Sequence, residues 1–293
     1  MLEEKKIVLP NSLGIHTKYS IDEKPVILFI HFSGGNLRMW DGIIPQFERE
    51  YSIVAADLRG HGKSDKPLQG YHIDDMANDL YLLLKELNVE KCHVVGSSLG
   101  AEVGVSLAAA HPEMVLSLVC EGALYNEFGE FGLFNGLVEE FENKKQTWLA
   151  ELAQREDPVY PSVAEFMEKK KGAFEEDGLW NPYFAAFFEG SVEEKDDGTI
   201  GHYFSNHVRT EYMKSYWDLR FEDYYREVRC PVLFLPSEEE WKNERIHHSL
   251  HAFAGMLEKS QIQLIDRSLH AYVWMQFAEA AGGAVKSFIR RYE

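Results

Sequence analysis

The sequence predicts an α/β fold with a mostly parallel central sheet flanked by helices and an inserted helical lid. Three observations support this prediction. Short apolar runs such as PVILFIHF at 25–32 have the length and composition of strands that are buried on both faces. Segments with helical spacing alternate with these runs, as in proteins with a parallel sheet covered by helices. The alternation stops between 123 and 227 and then resumes.

The first part of the chain contains most of the predicted sheet. Strands are predicted at 13–20, 25–32, 51–58, 91–97 and 115–122, and helices at 37–49, 73–87 and 100–111. The helix at 73–87 has leucines at helical spacing. Asp74 and Asp75 lie in its first turn, where negative charge suits the helix dipole.

After residue 227 the same alternation predicts the rest of the core. Strands are expected at 230–237 and 260–266, and helices at 244–257 and 271–291. The intervening segment is rich in Glu and aromatic residues, has no apolar strand run, and is predicted to be mostly helical with a loop at 190–201. We therefore predict a core made of 1–122 and 228–293, with a helical lid, or cap, at 123–227.

Composition and charge exclude several classes of partner. The 293 residues include 48 acidic and 30 basic side chains, for a net charge of −18. Nucleic acid and anionic membrane surfaces are not expected partners, because both require a positive field. The charge also weighs against a highly anionic substrate unless a local basic pocket offsets it. No signal region or apolar run of membrane-spanning length is present, so a cytoplasmic location is expected.

The stretch GSSLG at 96–100 fits the pattern G-x-S-x-G only with Ser98 at its centre. A predicted strand precedes it and a predicted helix follows it, which is the context that a nucleophile elbow requires. The central residue of such an elbow occupies a strained turn, so its neighbours must be small, and Gly96 and Gly100 meet this need. Ser98 is therefore the predicted nucleophile. The alternative, a glycine-rich turn whose serine only caps the helix, describes Ser97 better.

A serine nucleophile needs a base, and the base needs an acid to orient it. His270 follows the last predicted strand, which matches the chain order nucleophile, acid, histidine. The acid is expected in the glutamate run 238–240, where Glu240 is favoured over Glu238 and Glu239. Glu121 is the alternative acid, because its strand ends at the same edge of the sheet.

An oxyanion hole needs two backbone N–H groups aimed at the developing charge. Leu99, directly after the nucleophile, is expected to supply one. The loop after the strand at 25–32 is expected to supply the other, with Ser33 favoured over Phe32.

Neither a metal nor a cofactor is predicted. The three cysteines lie in or beside apolar runs and show no metal or disulfide spacing. His247 and His251 have the i, i+4 spacing of metal ligands. No accompanying Glu pattern is present, so a solvated or packed helix face is the favoured interpretation.

Four segments resemble the α/β-hydrolase fold superfamily, of the kind with a helical lid. They are HFSGGNLRMW at 31–40, DLRGHGKSDKP at 57–67, the GSSLG stretch, and PVLFLPSEEE with His270 downstream. The resemblance implies a Ser-His-acid triad, a two-amide oxyanion hole, no cofactor, and a structural role for the segment that begins at Asp57.

This chain departs from the superfamily pattern at two places. Members usually have glycine where Phe32 stands, so its phenyl group is expected to narrow the pocket or reshape the loop. They usually have aspartate where this chain has Glu240. Serine at the elbow argues against haloalkane dehalogenase or epoxide hydrolase chemistry, because those reactions need a carboxylate nucleophile.

The sequence thus predicts a serine hydrolase that cleaves a small ester, lactone or related acyl substrate through an acyl-enzyme. The acidic charge favours neutral esters or lactones. One alternative is a Ser/His-dependent carbon–carbon hydrolase, or a lyase or synthase without an acyl-enzyme. Another is a non-catalytic ligand-binding protein on a hydrolase scaffold. The expected partner is a small acyl compound, and the oligomeric state is not predicted.

Overall fold

The computed structural model describes residues 2–292, so Met1 and Glu293, the outer ends of the predicted core, lie outside the described residues. The strands are β1 (Glu3–Val8), β2 (Gly14–Ser20), β3 (Val26–Ile30), β4 (Ser52–Ala56), β5 (Cys92–Ser97), β6 (Val115–Glu121), β7 (Asn126–Phe128), β8 (Gly132–Phe134), β9 (Val159–Tyr160), β10 (Val192–Glu194), β11 (Ile200–His202), β12 (Val232–Phe234) and β13 (Ser260–Ile262). The helices are α1 (Ile73–Glu86), α2 (Leu99–Ala110), α3 (Val138–Ala153), α4 (Val163–Glu176), α5 (Pro182–Glu189), α6 (Asn206–Tyr216), α7 (Phe221–Tyr225), α8 (Glu238–Lys242), α9 (Glu244–Met256), α10 (Val273–Gln276) and α11 (Ala278–Ile289).

The central sheet of the described chain has the strand order β1-β2-β4-β3-β5-β6-β12-β13. From β4 to β13 each neighbouring pair is parallel, whereas β2 pairs antiparallel with both β1 and β4. The predicted α/β fold with a mostly parallel sheet is confirmed. Strand β1 was not predicted, because its residues are largely exposed and charged and form no apolar run.

The core lies on both faces of this sheet. Leu28 and Ile30 of β3 pack in a cluster with the buried faces of α1, α2 and α9. Ile27 and Phe29 point the other way and pack in a second cluster with α10 and α11. Successive side chains of a strand alternate between the two faces, so a continuous apolar run fills both clusters.

Two predicted helices are interrupted in the structure. In place of the single helix predicted at 37–49, the structure has two short 3-10 helices, Leu37–Trp40 and Ile44–Gln46. Pro45 lies in the first turn of the second one, and proline cannot donate the hydrogen bond that would continue a helix across this point. The predicted helix at 271–291 is divided into α10 and α11 at Phe277, whose φ of −131° and ψ of 49° are not helical.

The segment between β6 and β12 carries helices α3 to α7 and two small sheets. The loop predicted at 190–201 is wrong, because β10 and β11 pair antiparallel there and β11 also pairs with β9. A tight turn joins them: Lys195 N–H donates to the carbonyl of Thr199, and Gly198 has a φ of 80°. These strands have only three residues each and no apolar run, so the sequence carried little signal for them. The division of core and cap at 123–227 remains a prediction.

No helix within residues 2–292 combines the length and the apolar character that a bilayer crossing requires.

The side chain of Asp57 contacts three separate segments of the chain. One carboxylate oxygen accepts the N–H of Leu37 at 2.7 Å. The other accepts the N–H of Lys63 at 3.0 Å and lies 2.7 Å from Nδ1 of His16. This contact set explains why the segment that begins at Asp57 is a structural part of the fold.

Replacing Asp57 with asparagine is expected to lower the free energy of unfolding by about 2–4 kcal/mol, because the new amide N–H₂ would face donors in a buried site. Urea denaturation would measure this loss. The matched control is Asp22→Asn at an exposed site, with an expected change below about 0.5 kcal/mol. Equal midpoints for Asp57→Asn and the wild type would contradict the structural role.

Candidate active site

Ser98 lies on the sharp turn between β5 and α2. Its φ of 50° and ψ of −117° are strained for a residue with a side chain, as expected for a nucleophile elbow. The turn leaves no room around it. A Cβ on Gly100 would overlap the carbonyl oxygen of Ile30, and a Cβ on Gly96 would overlap the carbonyl oxygen of Gly100. The glycines of the motif therefore permit the close approach of strand and helix that presents Ser98.

His270 reaches Ser98 from the loop between β13 and α10. Its Nε2 lies 3.0 Å from Oγ of Ser98, which is hydrogen-bonding distance. The histidine side chain is 43% exposed, so a substrate can approach this pair from solvent. The two residues are 172 positions apart in the chain, and the structure brings them together.

Two carboxylates contact the other nitrogen of His270. Its Nδ1 lies 3.1 Å from Oε1 of Glu121 and 3.0 Å from Oε1 of Glu240. The structure thus brings both candidate acids to the same imidazole. The other two glutamates of the run lie elsewhere: Glu238 accepts the N–H of Arg267 at 2.7 Å, and Glu239 is exposed.

Glu121 is the more deeply buried of the two acids and has several donors. Ser97 Oγ donates to its Oε2 at 2.6 Å, and the N–H of Ala271 donates to Oε1 at 2.7 Å. The indole N–H of Trp274 lies 3.4 Å from Oε2. Because Ala271 follows His270 directly, this carboxylate also fixes the loop that carries the base.

Ser97, Ala271 and Trp274 were not assigned to Glu121 from the sequence. The signal for Ser97 is the parallel register of β5 and β6, which places it directly beside Glu121. That register is a tertiary property. The side chain of Ser97 therefore supports the acid and does not cap the helix, which refines the alternative considered for it.

Glu240 is held by a capping box at the start of α8. The N–H of Ser237 donates to its Oε2 at 2.8 Å, and the N–H of Glu240 donates to Oγ of Ser237 at 3.3 Å. Such a box uses a Glu three residues after the Ser, and this spacing is met here. One oxygen of Glu240 thus anchors the side chain while the other faces His270.

The two carboxylates control the charge of the base. Burial would lower the pKa of His270, but Glu121 first, and Glu240 next, outweigh it and hold the pKa well above its ordinary value. Burial would raise the pKa of Glu240, but the hydrogen bond and charge of His270 and the N–H of Ser237 keep that pKa below its ordinary value. Both effects favour an imidazolium flanked by carboxylates.

A general base must be neutral to accept a proton, so activity is expected to rise with pH until His270 has lost its proton, at a pH above the ordinary range for histidine. Replacing Glu240 with glutamine removes one negative charge and should lower the pKa of His270. The rising limb of the kcat/KM profile would then move to lower pH. Hydrolysis of a neutral 4-nitrophenyl ester, measured across pH, would report the shift, and Glu239→Gln is the matched control. An unmoved limb in Glu240→Gln would contradict this role.

The predicted oxyanion donors lie at the start of α2 and in the loop after β3. Leu99 is the first residue of α2, and the first N–H groups of a helix have no acceptor within the helix. Ser33 lies in the loop after β3, inside a turn in which Gly35 N–H donates to the carbonyl of Phe32 at 2.8 Å. Nδ1 of His31 lies 2.8 Å from the same carbonyl, which fixes the turn. Leu99, Ser33 and Phe32 all remain predictions as donors.

The phenyl ring of Phe32 packs between the cap and the His270 loop. Its centroid is 5.5 Å from that of Phe187 on α5 and 6.2 Å from that of Tyr272. Phe32, Ser33 and Tyr272 line a cleft of about 380 Å³ that runs beneath the cap. The ring therefore forms part of the wall of this cleft. This position is compatible with the expectation that Phe32 narrows the pocket.

Among residues 2–292, one group of side chains could hold a metal ion. Ligand atoms of Glu121, Glu240 and His270 lie within 4.8 Å of one another. A metal there would compete with the proton that Nδ1 of His270 shares with the carboxylates.

The histidine pair with i, i+4 spacing lies on α9. The ring centroids of His247 and His251 are 4.4 Å apart, and the ring centroid of Trp241 is 4.5 Å from that of His247.

Fold and site together define an α/β protein with a strained strand-to-helix turn at Ser98 and a serine-histidine-carboxylate arrangement at the carboxyl edge of its sheet. Residues 25–241 match the family model described as alpha/beta hydrolase fold. The chain therefore belongs to the alpha/beta hydrolase fold family, and the resemblance seen in the sequence is confirmed.

Named relatives match only part of this chain. A fluoroacetate dehalogenase from Burkholderia sp is 39% identical over 99 residues, 32% of this chain and 33% of that protein. A 3-oxoadipate enol-lactonase 2 from Acinetobacter baylyi is 35% identical over 91 residues, 31% of this chain and 34% of that protein. The matched region thus spans about a third of the length of these relatives.

A solved structure matches nearly the whole chain. The crystal structure of E-2-(acetamidomethylene)succinate hydrolase superposes with a TM-score of 0.75 at 20% identity, covering 99% of this chain and 100% of that one. At this identity the likeness establishes the fold alone.

Proposed function

We propose that the protein is a serine hydrolase that cleaves a small ester, lactone or related acyl substrate through an acyl-enzyme. The observation that carries the proposal is the 3.0 Å contact between Nε2 of His270 and Oγ of Ser98, on an elbow whose strained turn exposes the hydroxyl. A serine hydroxyl is a weak nucleophile until a base accepts its proton, and this geometry supplies the base.

The proposed reaction has two halves. Ser98 attacks the acyl carbonyl while its proton moves to Nε2 of His270, and the amides of Leu99 and Ser33 stabilise the oxyanion. The imidazolium, stabilised by Glu121 and Glu240, then gives its proton to the leaving group. Water attacks the acyl-enzyme with His270 again as the base, and the acid product leaves as Ser98 recovers its proton.

The residue type of the proposed nucleophile indicates which of the relatives' reactions this protein could catalyse. Alkyl halides and epoxides are opened by a carboxylate, which forms an ester that water then cleaves. This chain has serine at position 98, so the chemistry named for the dehalogenase relative does not suit it. The reaction named for the lactonase relative is an acyl transfer to water, which suits a serine nucleophile.

A panel of 4-nitrophenyl esters and lactones of graded acyl length tests the proposal. We expect a pre-steady-state burst with a favourable ester, and covalent labelling of Ser98 by a fluorophosphonate. Turnover of a carbon acid without labelling would instead indicate a lyase or synthase. Saturable ligand binding without turnover of any substrate would indicate a ligand-binding protein.

A further inference from the structure

The cleft beneath the cap contains a concentration of positive charge in an otherwise acidic protein. Arg155, Lys170 and Arg209 all line it, although the chain carries a net charge of −18. They come from different parts of the cap: Arg155 follows α3, Lys170 lies on α4 and Arg209 on α6. Three separate segments therefore direct cations into one cavity.

Lys170 and Arg209 are half-buried without a carboxylate partner. Within residues 2–292, neither side chain lies within 4.0 Å of a carboxylate oxygen, and each lies instead over at least one aromatic ring. Nζ of Lys170 is 5.4 Å from the ring centroid of Phe188, and Cζ of Arg209 is 5.1 Å from that of Phe204. Partly desolvated cations that lack a counter-ion attract an anionic ligand more strongly than cations in water do.

The surroundings of these two cations compensate their positive charge only weakly. Burial, followed by the charge of Lys169, lowers the pKa of Lys170. Burial, followed by the charge of Arg155, lowers the pKa of Arg209, and Asp157 only partly opposes this. Both shifts are the expected response of cations that lack an adequate counter-ion.

Two acidic residues also line the cleft and reduce its net positive charge. Glu156 and Asp157 are exposed, as is Arg155, and an oxygen of Asp157 already accepts the N–H of Asn206 at 2.6 Å. The three cations of the lining thus exceed its carboxylates by one charge. This balance suits a singly charged carboxylate better than a doubly charged phosphate.

The described residues that line the cleft include chain neighbours of the reacting groups, but not Ser98 or His270 themselves. Phe32, Ser33 and Gly34 of the oxyanion loop line it on one side. Tyr272, two residues after His270, also lines it. A ligand held by the cations would therefore lie against the loops that carry the base and the Ser33 amide.

We propose that this cleft is a subsite for a carboxylate carried by the substrate, with Arg209 and Lys170 as the residues that determine this specificity. The inference rests on the proposed function and narrows it to anionic acyl compounds. It also replaces the preference for neutral substrates that the net charge had suggested, because a local field depends on the nearest charges. The planar guanidinium of Arg209 suits a carboxylate, with which it can form two parallel hydrogen bonds.

Paired substrates test the subsite. Mono-4-nitrophenyl adipate and pimelate carry a free carboxylate in the acyl part, on chains too long for it to attack its own ester readily. 4-Butyryloxybenzoate carries the carboxylate in the leaving group. The methyl ester of each compound is its neutral partner. We expect the wild type to prefer the anionic member in at least one of the two series.

Charge-removing variants identify the residues responsible. Arg209→Gln and Lys170→Gln should each raise KM for the preferred anionic substrate about tenfold, the usual scale for a lost charged hydrogen bond. The kcat/KM of the neutral partner should stay within about twofold, which also shows that the variants fold. Lys169→Gln is the matched control, since it removes the same charge from the neighbouring position, which does not line the cleft.

The outcomes separate this inference from the proposed function. Equal changes for anionic and neutral substrates, or no preference in either series, would overturn the subsite while Ser98-dependent hydrolysis stood. If no ester is hydrolysed, calorimetric titration of the protein with adipate tests whether the cleft binds a carboxylate. Binding to the wild type that Arg209→Gln weakens about tenfold would support the subsite, and the absence of binding would reject it.

Discussion

Replacing Ser98 with alanine is expected to lower kcat for ester hydrolysis by about 10⁴- to 10⁶-fold, the scale found when a triad nucleophile is removed. The physical reason is that His270 then has no hydroxyl to activate, and an acyl-enzyme cannot form. Release of 4-nitrophenolate from a short acyl ester measures this loss. The substitution removes a single oxygen at the end of β5, so near-native thermal stability is expected alongside the loss of activity.

Ser97→Ala is the matched control for that variant. It deletes the same atom from the adjacent residue and removes one of the donors to Glu121, so a loss of only about tenfold is expected. Fluorophosphonate should label Ser97→Ala and fail to label Ser98→Ala. Full esterase activity in Ser98→Ala would show that the proposed mechanism is wrong.

The double variant Glu121→Gln/Glu240→Gln is expected to lose about 10⁴-fold in kcat, which is the cost of leaving a triad histidine without its carboxylate. Each single variant should lose only about 10- to 100-fold, because the remaining carboxylate still contacts Nδ1 of His270 at about 3 Å and can hold its tautomer. The two changes together should therefore cost more than the product of the single losses. Steady-state kinetics of the four proteins on one neutral ester form the complete double-mutant cycle.

Glu239→Gln supplies the control for this cycle, since it neutralises an exposed glutamate in the same run and should leave kcat unchanged. Thermal denaturation of each variant shows whether the buried Glu121 site still folds. If one single variant alone matched the loss of the double variant, that residue would be the sole triad acid. This result would contradict the shared role proposed here.

The candidate nucleophile and the candidate base could both be predicted from local sequence pattern. Ser98 is specified by small residues at fixed offsets between an apolar strand and a helix, and these offsets follow from the steric demands of one sharp turn. His270 is specified by its position after the last core strand. Both predictions depend on short stretches of chain whose backbone path is dictated by neighbouring residues.

Local sequence pattern could not show which of the two carboxylates, Glu121 or Glu240, contacts His270. Glu121 ends β6, whereas Glu240 lies on α8 after β12, and their distances to His270 depend on how β6 and β12 pair in the sheet. Their chemistry is identical, so no residue-type preference separates them. The structure places both within hydrogen-bonding distance of Nδ1, an outcome that the choice between single candidates did not anticipate.

Short polar elements also escaped the sequence. Strands β10 and β11 have only three residues each, and strand β1 is mostly charged and exposed. Such strands are held by backbone hydrogen bonds to a neighbouring strand more than by apolar side chains. Hydrophobic periodicity therefore cannot reveal them, whereas it revealed the buried strands of the central sheet.

Periodicity and local sterics were sufficient for the α/β class, the elbow at Ser98 and the candidate base, because each depends on residues that are close in sequence. Tertiary packing alone decided which carboxylates reach His270 and where the cations of the cap converge. Arg155, Lys170 and Arg209 share a cleft only because α3, α4 and α6 are folded over the sheet edge. The net charge of the chain sums over all residues, but a ligand responds chiefly to the few charges within a Debye length of its site.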